Sequence, residues 1–317
     1  MRRNILAVVL LAAAPLPAAA SAEEQPGLDR RVLGGHRFMV SHLIEDPFSV
    51  TSFGVNLALG TGEALGPSLD LTTLPPTILQ DSKWYRYATI VQQFDFTARM
   101  MENLSLHAGL LDAVRQGTSE GAALVIGSAL QISGLLGVKG SVPLGDNLRF
   151  SLSGQGVYGP HMNLLILQGL INAYRAGSFT SADLFQDRNA LSVAATAAAA
   201  WGPTLWLGFE VNAGYLYTKS HDISGSTQDG LVGAASVEFD ARPLVSWLPV
   251  GTALSYRRTG AFGNDGLASS EEWSWAIHYT GRPDLVLGLE ADHVSGRLET
   301  EESSKQTIGW VNFRYYW

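Results

Sequence analysis

The sequence predicts an all-β chain: an up-and-down antiparallel β-barrel of about twelve strands that crosses a membrane, preceded by a cleaved export signal. Three observations carry this expectation. Apolar residues recur with period two from Phe48 to the C-terminus. The connections between the alternating segments are by turns long and short. The last segment alternates to its end and closes on Trp317.

The N-terminal region reads as two pieces. Met1-Arg2-Arg3-Asn4 is a short basic stretch, Ile5 to Ala14 is apolar, and Ala20-Ser21-Ala22 places small residues before Glu23. That is the pattern of a secretory signal peptide over 1–22, its apolar core too short to span a bilayer as a helix. Its removal takes away two arginines and no acid, so the formal charge moves from −8 to −10. Residues 23–47 are polar, with proline and arginine, and read as a periplasmic tail. Phe38, Met39, Val40, Leu43 and Ile44 are apolar, and the sequence leaves open whether His36 to Asp46 enters a lumen from below.

Composition removes several classes of function. A chain this acidic keeps no basic patch for nucleic acid. Cysteine is absent, which excludes a disulfide scaffold, thiol chemistry and a thiolate metal site. Beyond residue 22 no run of apolar residues is long enough for a helical span. Glycine at 34 residues and charged residues at 16% are unusual for a soluble domain of this length.

Period two is clearest from Leu205 to Tyr217. Leu205, Leu207, Phe209, Val211, Ala213, Tyr215 and Tyr217 form one face, and Trp206, Gly208, Glu210, Asn212, Gly214 and Leu216 the other. A strand separates these sets, whereas a helix would scatter them. The same test assigns strands to 48–60, 86–100, 103–112, 128–142, 147–158, 189–201, 204–218, 228–241, 248–258, 271–280, 284–297 and 306–317. The barrel is therefore expected over 48–317. An even number of strands puts both ends of the barrel on one side, as up-and-down bacterial barrels require. Long connections fall near 61–85, 113–127, 159–188, 219–227, 259–270 and 298–305, and the intervening ones are short. Spanning barrels sort their connections this way, with short periplasmic turns and long extracellular loops. The apolar stretch Ala122 to Ala129 is expected to extend the strand that follows it.

The final strand, Thr307 to Trp317, puts Val311, Phe313, Tyr315 and Trp317 on one face. An alternating last strand closed by an aromatic residue resembles the end of Gram-negative outer-membrane β-barrel proteins, the porin-like class, although Trp stands where Phe is commoner. The resemblance identifies no family within that class. It implies an outer-membrane location, contact with outer-membrane lipid, and recognition by the barrel-assembly machinery during insertion. Trp201, Tyr217, Tyr256, Trp273 and Trp317 near strand ends suit the aromatic girdles of such barrels.

Parity assigns Asp95, Arg99, His107, Lys139, Arg149, Glu210, Glu238, Asp240, Arg257, His278, Glu290, Asp292 and Arg314 to the lumen. Charge facing lipid at mid-depth costs roughly 2–4 kcal/mol per Arg or Lys, so confinement to one face is expected. The rows admit two roles. They set up a transverse field that selects solutes, or they pair across a filled interior. Met162 to Ala176 is too apolar for a free loop and is a candidate to plug or line the mouth, or to lie on the rim.

No metalloprotease, Walker or EF-hand pattern occurs, and no two histidines stand at zinc-ligand spacing, so neither metal nor cofactor is expected. His36, His42, His161 and His221 fall in tail or loop segments and read as exposed and silent. His293 and Ser295 share the lipid face, with Glu299 as a candidate orienting acid. This looks like the His-x-Ser of outer-membrane phospholipases and lipid A deacylases. It departs from them in having Gly296 where Asn is usual and in lacking a Ser/Asn-rich partner strand. Three functions remain open: a porin-like channel for small solutes, favoured; a lipid hydrolase using His293 and Ser295; and a non-conducting barrel anchoring an envelope complex.

Overall fold

The computed structural model describes residues 31–39, 41–65, 84–119, 122–123, 127–164, 166, 184–220, 227–262, 267–298 and 303–317. Two short strands come first, β1 (Val32–Leu33) and β2 (His36–Arg37). Twelve long ones follow: β3 (Ser52–Leu65), β4 (Trp84–Met101), β5 (Leu104–Gly117), β6 (Ser128–Pro143), β7 (Leu148–Leu164), β8 (Phe185–Thr204), β9 (Leu207–Ser220), β10 (Thr227–Asp240), β11 (Val250–Phe262), β12 (Leu267–Tyr279), β13 (Leu285–Leu298) and β14 (Ser303–Tyr316). Each pairs antiparallel with its sequence neighbours, and β14 closes on β3 through pairs such as Asn312↔Asn56. The result is the all-β, closed, twelve-stranded barrel that period two and the even strand number imply.

Every expected strand is present, and several run further at the end opposite the termini. The segment expected over 103–112 continues to Gly117, and that over 147–158 continues to Leu164. The reason is visible on the outer face. Near that end the outward residues turn polar, in direct cross-strand register: Arg258↔Glu271, Glu271↔Ser295, Ser295↔Lys305, Lys305↔Glu63 and Glu63↔Arg86. Hydrophobic alternation lapses there, but the backbone ladder needs no apolar side chain to continue. Ala122 and Ala123 form a helical turn, and β6 begins only at Ser128, so the stretch from Ala122 does not lengthen that strand from its start.

The outward face in between is apolar and exposed, with Leu59, Ile90, Leu136, Leu152, Leu231, Leu289 and Val311 among its residues. Gln92 and Asp112, paired across β4 and β5, are polar positions on this face, but a belt otherwise this apolar is matched by a lipid environment and not by water. Trp201, Phe209, Tyr315 and Trp317 cluster at the end carrying the termini, with Trp201 stacked on Phe209 at 5.5 Å and Tyr315 on Trp317 at 5.9 Å. Tyr256 and Trp273 meet at 4.6 Å toward the other end.

The segment before the barrel does not stay outside it. β1 and β2 form a hairpin whose turn residues Gly34 and Gly35 have φ of 57° and 83°, the left-handed pair that a two-residue primed turn needs. Gly34 also lies so close to the wall that a Cβ would stand 2.2 Å from the Gly202 carbonyl. The hairpin sits against the β6–β7 turn, where the Gly34 amide donates to the Asp146 carbonyl at 3.0 Å. From Phe38 the chain climbs into the lumen to a tip near His42 to Glu45, then descends to Thr51, just before β3.

The plugged lumen as the candidate functional site

The plug seats itself by filling gaps left on the wall. Leu33, Phe38 and Phe48 pack with Ala200 of β8, and Leu43 and Ile44 with Ala234 of β10. The alanine-rich strand thus makes room at Ala200 for aromatic side chains from the plug. Two inward glycines do the same. A Cβ at Gly208 would meet His36 at 2.4 Å, and one at Gly251 would meet the Met39 sulfur at 2.5 Å.

Polar contacts tie the rest. The Met39 amide donates to Glu238 Oε2 at 2.7 Å, and His36 Nε2 lies 3.6 Å from the same oxygen. Ser41 Oγ donates to Glu290 Oε1 at 2.8 Å. Ser153 Oγ donates to Glu45 Oε2 at 2.7 Å, Lys139 Nζ donates to the Asp46 carbonyl, and Ser141 Oγ donates to the Pro47 carbonyl at 2.6 Å. Arg31 pairs with Asp46 at 3.5 Å and lies over the Tyr316 ring at 4.6 Å, while Arg149 lies over Phe48 at 5.5 Å.

The plug tip meets a concentration of carboxylates. His42 Nδ1 is 3.2 Å from Glu290 Oε2, and Nε2 is 3.1 Å from Asp292 Oδ2 and 3.6 Å from Glu272 Oε1. The His42 ring lies against Trp310 at 4.4 Å. Burial alone would lower the imidazole pKa, but hydrogen bonds to Glu272 and Glu290 and the charges of Glu290 and Asp292 push it up to about 9. The wall supports these acids. Glu290 also accepts from Ser274 and from Asn312 Nδ2 at 2.8 Å, Asp292 accepts from Trp310 Nε1, and Glu272 pairs with Arg257. The ligand atoms of His42, Glu272 and Asp292 lie within 4.8 Å of one another, which makes them a candidate metal set.

The structure places the residues assigned to the lumen as follows. Glu238, Glu290, Asp292, Lys139 and Arg149 contact the plug. Arg314 pairs with Asp95 at 3.3 Å, and Asp240 accepts from Thr280 Oγ1 at 2.9 Å. Glu210 and His278 are buried. His107 is 3.4 Å from Gln155 Oε1. Arg99 stands at the rim, its amide donating to Thr51 Oγ1 at 3.1 Å. The cations and acids do not face each other over an open bore, since the plug bridges many of them. A cavity of about 330 Å³ remains beside the tip, lined by Ser41 to Asp46 and by wall residues including Asn56, Gln93, Asp95, His107, Lys139, Arg257 and Arg314.

Sequence reasoning missed part of this site. Glu272 was not assigned to the lumen, although it shares the face of Ser274 and His278. His36 and His42, expected to be exposed, lie against carboxylates, His36 buried and His42 partly so, because their segment lies inside the barrel. Most of Met162 to Ala176 lies outside the described residues, as does Glu299. His293 Nδ1 is 3.4 Å from Thr307 Oγ1 on the outer face, and no hydrogen bond among the described residues joins it to Ser295.

No family model and no curated protein sequence matches the chain. Solved structures do. The transport unit of the autotransporter AIDA-I from Escherichia coli aligns with a TM-score of 0.52 at 8% identity, covering 84% of this chain and 90% of that one. The toluene transporter TodX of Pseudomonas putida aligns at 0.45 and 11% identity over 92% and 98%. The translocator domain of the autotransporter NalP from Neisseria meningitidis aligns at 0.45 and 12% identity over 84% and 88%. The likeness is one of fold: the chain has the closed antiparallel barrel of outer-membrane β-barrel proteins.

Proposed function

We propose that the chain is an outer-membrane passage for small polar solutes whose own N-terminal segment, residues 31–51, holds it narrow. The observation that carries this reading is the plug with a polar cavity left beside it. A filled interior alone would serve only to stiffen the wall. Here the filler enters and leaves at one end of the barrel, with Gly34 bonded to the β6–β7 turn and Thr51 accepting from the Trp317 amide. It can therefore withdraw without being threaded through. Beside the apolar seats of Leu33, Phe38, Phe48, Leu43 and Ile44, its ties are hydrogen bonds and ion pairs, those to charged groups contributing roughly 1.5–3 kcal/mol each, which water can replace. With the plug gone, a twelve-stranded bore lies between the filled eight-stranded barrels and the aqueous sixteen-stranded ones. The apolar belt and aromatic ends suit the outer membrane, its lipids, and assembly through the terminal strand.

The filled lumen also favours a second reading, a barrel that anchors an envelope complex and conducts nothing. Planar-bilayer recording separates the two. The intact protein is expected to give small, restricted currents, and a variant lacking 31–49 currents several-fold larger. A folded variant that stays silent would end the passage reading and leave the anchor. The lipid-hydrolase reading gains no support from the His293 and Ser295 geometry.

A further inference from the structure

We propose that the plug tip and the barrel wall together form a divalent-cation site, with His42 Nε2, Asp292 and Glu272 as ligands and Glu290 as the carboxylate that orients the imidazole. The ion class is a first-row metal that accepts nitrogen with carboxylate oxygen, Zn²⁺ above all.

Two of the three ligand–ligand edges are those of a tetrahedral site, and the third lies within 4.8 Å. Ligands about 2.1 Å from a zinc ion at tetrahedral angles stand about 3.4 Å apart. His42 Nε2 is 3.1 Å from Asp292 Oδ2 and 3.6 Å from Glu272 Oε1. One nitrogen thus faces two carboxylate oxygens. A single N–H cannot point at both, whereas a metal ion lying between them serves both.

The other ring nitrogen faces a carboxylate, as metal-bound imidazoles nearly always do: Nδ1 lies 3.2 Å from Glu290 Oε2, at ion-pair distance though not aligned as a hydrogen bond. Glu290 is itself held by Ser41, Ser274 and Asn312, so its oxygens are committed to orientation.

Charge and hydrogen bonding also favour a cation here. Glu272, Glu290 and Asp292 are three buried carboxylates. Arg257 pairs with one of them, and a protonated His42 would be the second cation, one short of balance. A divalent ion in place of the His42 proton balances the set. Asp292 is 1% exposed, and its Oδ1 has no hydrogen-bond partner among the described residues. Burying an unpaired carboxylate oxygen is costly, and a nearby cation relieves that cost. Access exists, because His42 and Arg257 both line the cavity. A bound ion would join the plug to β12 and β13 at mid-barrel and pin the tip.

The site does not depend on whether the barrel conducts, and its test uses no current. Folded protein in detergent is stripped with a chelator and titrated with Zn²⁺ by calorimetry and with Co²⁺ by visible absorption. The expected result is one ion per chain, Co²⁺ bands of a nitrogen–oxygen site, and slower amide exchange across 38–48 when Zn²⁺ is bound. Asp292→Asn and Glu272→Gln should each weaken binding at least tenfold, and Glu290→Gln by roughly 10–100-fold, as outer-carboxylate changes do. His293→Ala, at the outer rim, should leave it unchanged. Heat-modifiable gel migration checks that each variant is folded. If a variant does not fold, the wild-type titration still decides whether the site exists. Absence of stoichiometric Zn²⁺ or Co²⁺ binding by the wild type would overturn the proposal and leave the cluster as an ionic lock. So would binding unchanged in the Asp292→Asn, Glu272→Gln double variant.

Discussion

Replacing Gly208 with valine should drive the plug out of the barrel while leaving the barrel intact. Gly208 faces the lumen on β9, and a Cβ there would meet His36 Cδ2 and Nε2 at 2.4 Å and Phe38 at 2.9 Å. Neither ring can yield easily, since both are fully buried and they pack edge to face at 4.8 Å. Overpacking of this kind costs typically 1–3 kcal/mol. Valine also suits a strand better than glycine, but that gain is present with the plug in or out and cancels. At 1.4 kcal/mol per factor of ten, the equilibrium between seated and released plug should shift roughly 5- to 140-fold. The chain has no cysteine, so Ser49→Cys supplies a single reporter at a position that is 1% exposed. Its rate of alkylation should rise by that factor in the Gly208→Val background when opening is fast relative to labelling. Gly154→Ala is the control, because a Cβ there meets nothing within 4 Å. An unchanged labelling rate in Gly208→Val, with folding preserved, would refute the argument that the wall glycines seat the plug.

Two further outcomes test the barrel itself. The folded protein should resist SDS and migrate differently before and after boiling, because twelve strands in a closed ladder leave no edge to fray; solubility in water without detergent would count against it. Leu136 sits at mid-strand on the outer face and is 71% exposed, so Leu136→Arg should cost roughly 2–4 kcal/mol of stability in lipid, read by denaturant unfolding in vesicles. The same change at Glu63, already among charged neighbours at the outer end, should cost far less.

The barrel was legible in the sequence because its rules are local. A strand shows its two faces at every second residue, and a one-residue slip would expose the wrong face, so Leu205 to Tyr217 announces itself without reference to the rest of the chain. Closure follows from strand number and from the sorting of connections. The same parity puts Glu290 and Asp292 on the inner face, and Glu272 shares that face with Ser274 and His278. The plug carries no such signal. Beyond the short β1–β2 hairpin the segment leading to Thr51 has a period of neither two nor 3.6, and its apolar residues match gaps at Ala200, Gly208, Ala234 and Gly251, which are separated from them by 150 residues or more. Nothing near His42 in sequence says that three carboxylates from β12 and β13 await it. Only the closed barrel brings them within hydrogen-bonding distance, because a long-range contact between an irregular segment and a wall is decided by shape and charge in three dimensions and leaves no periodicity to read.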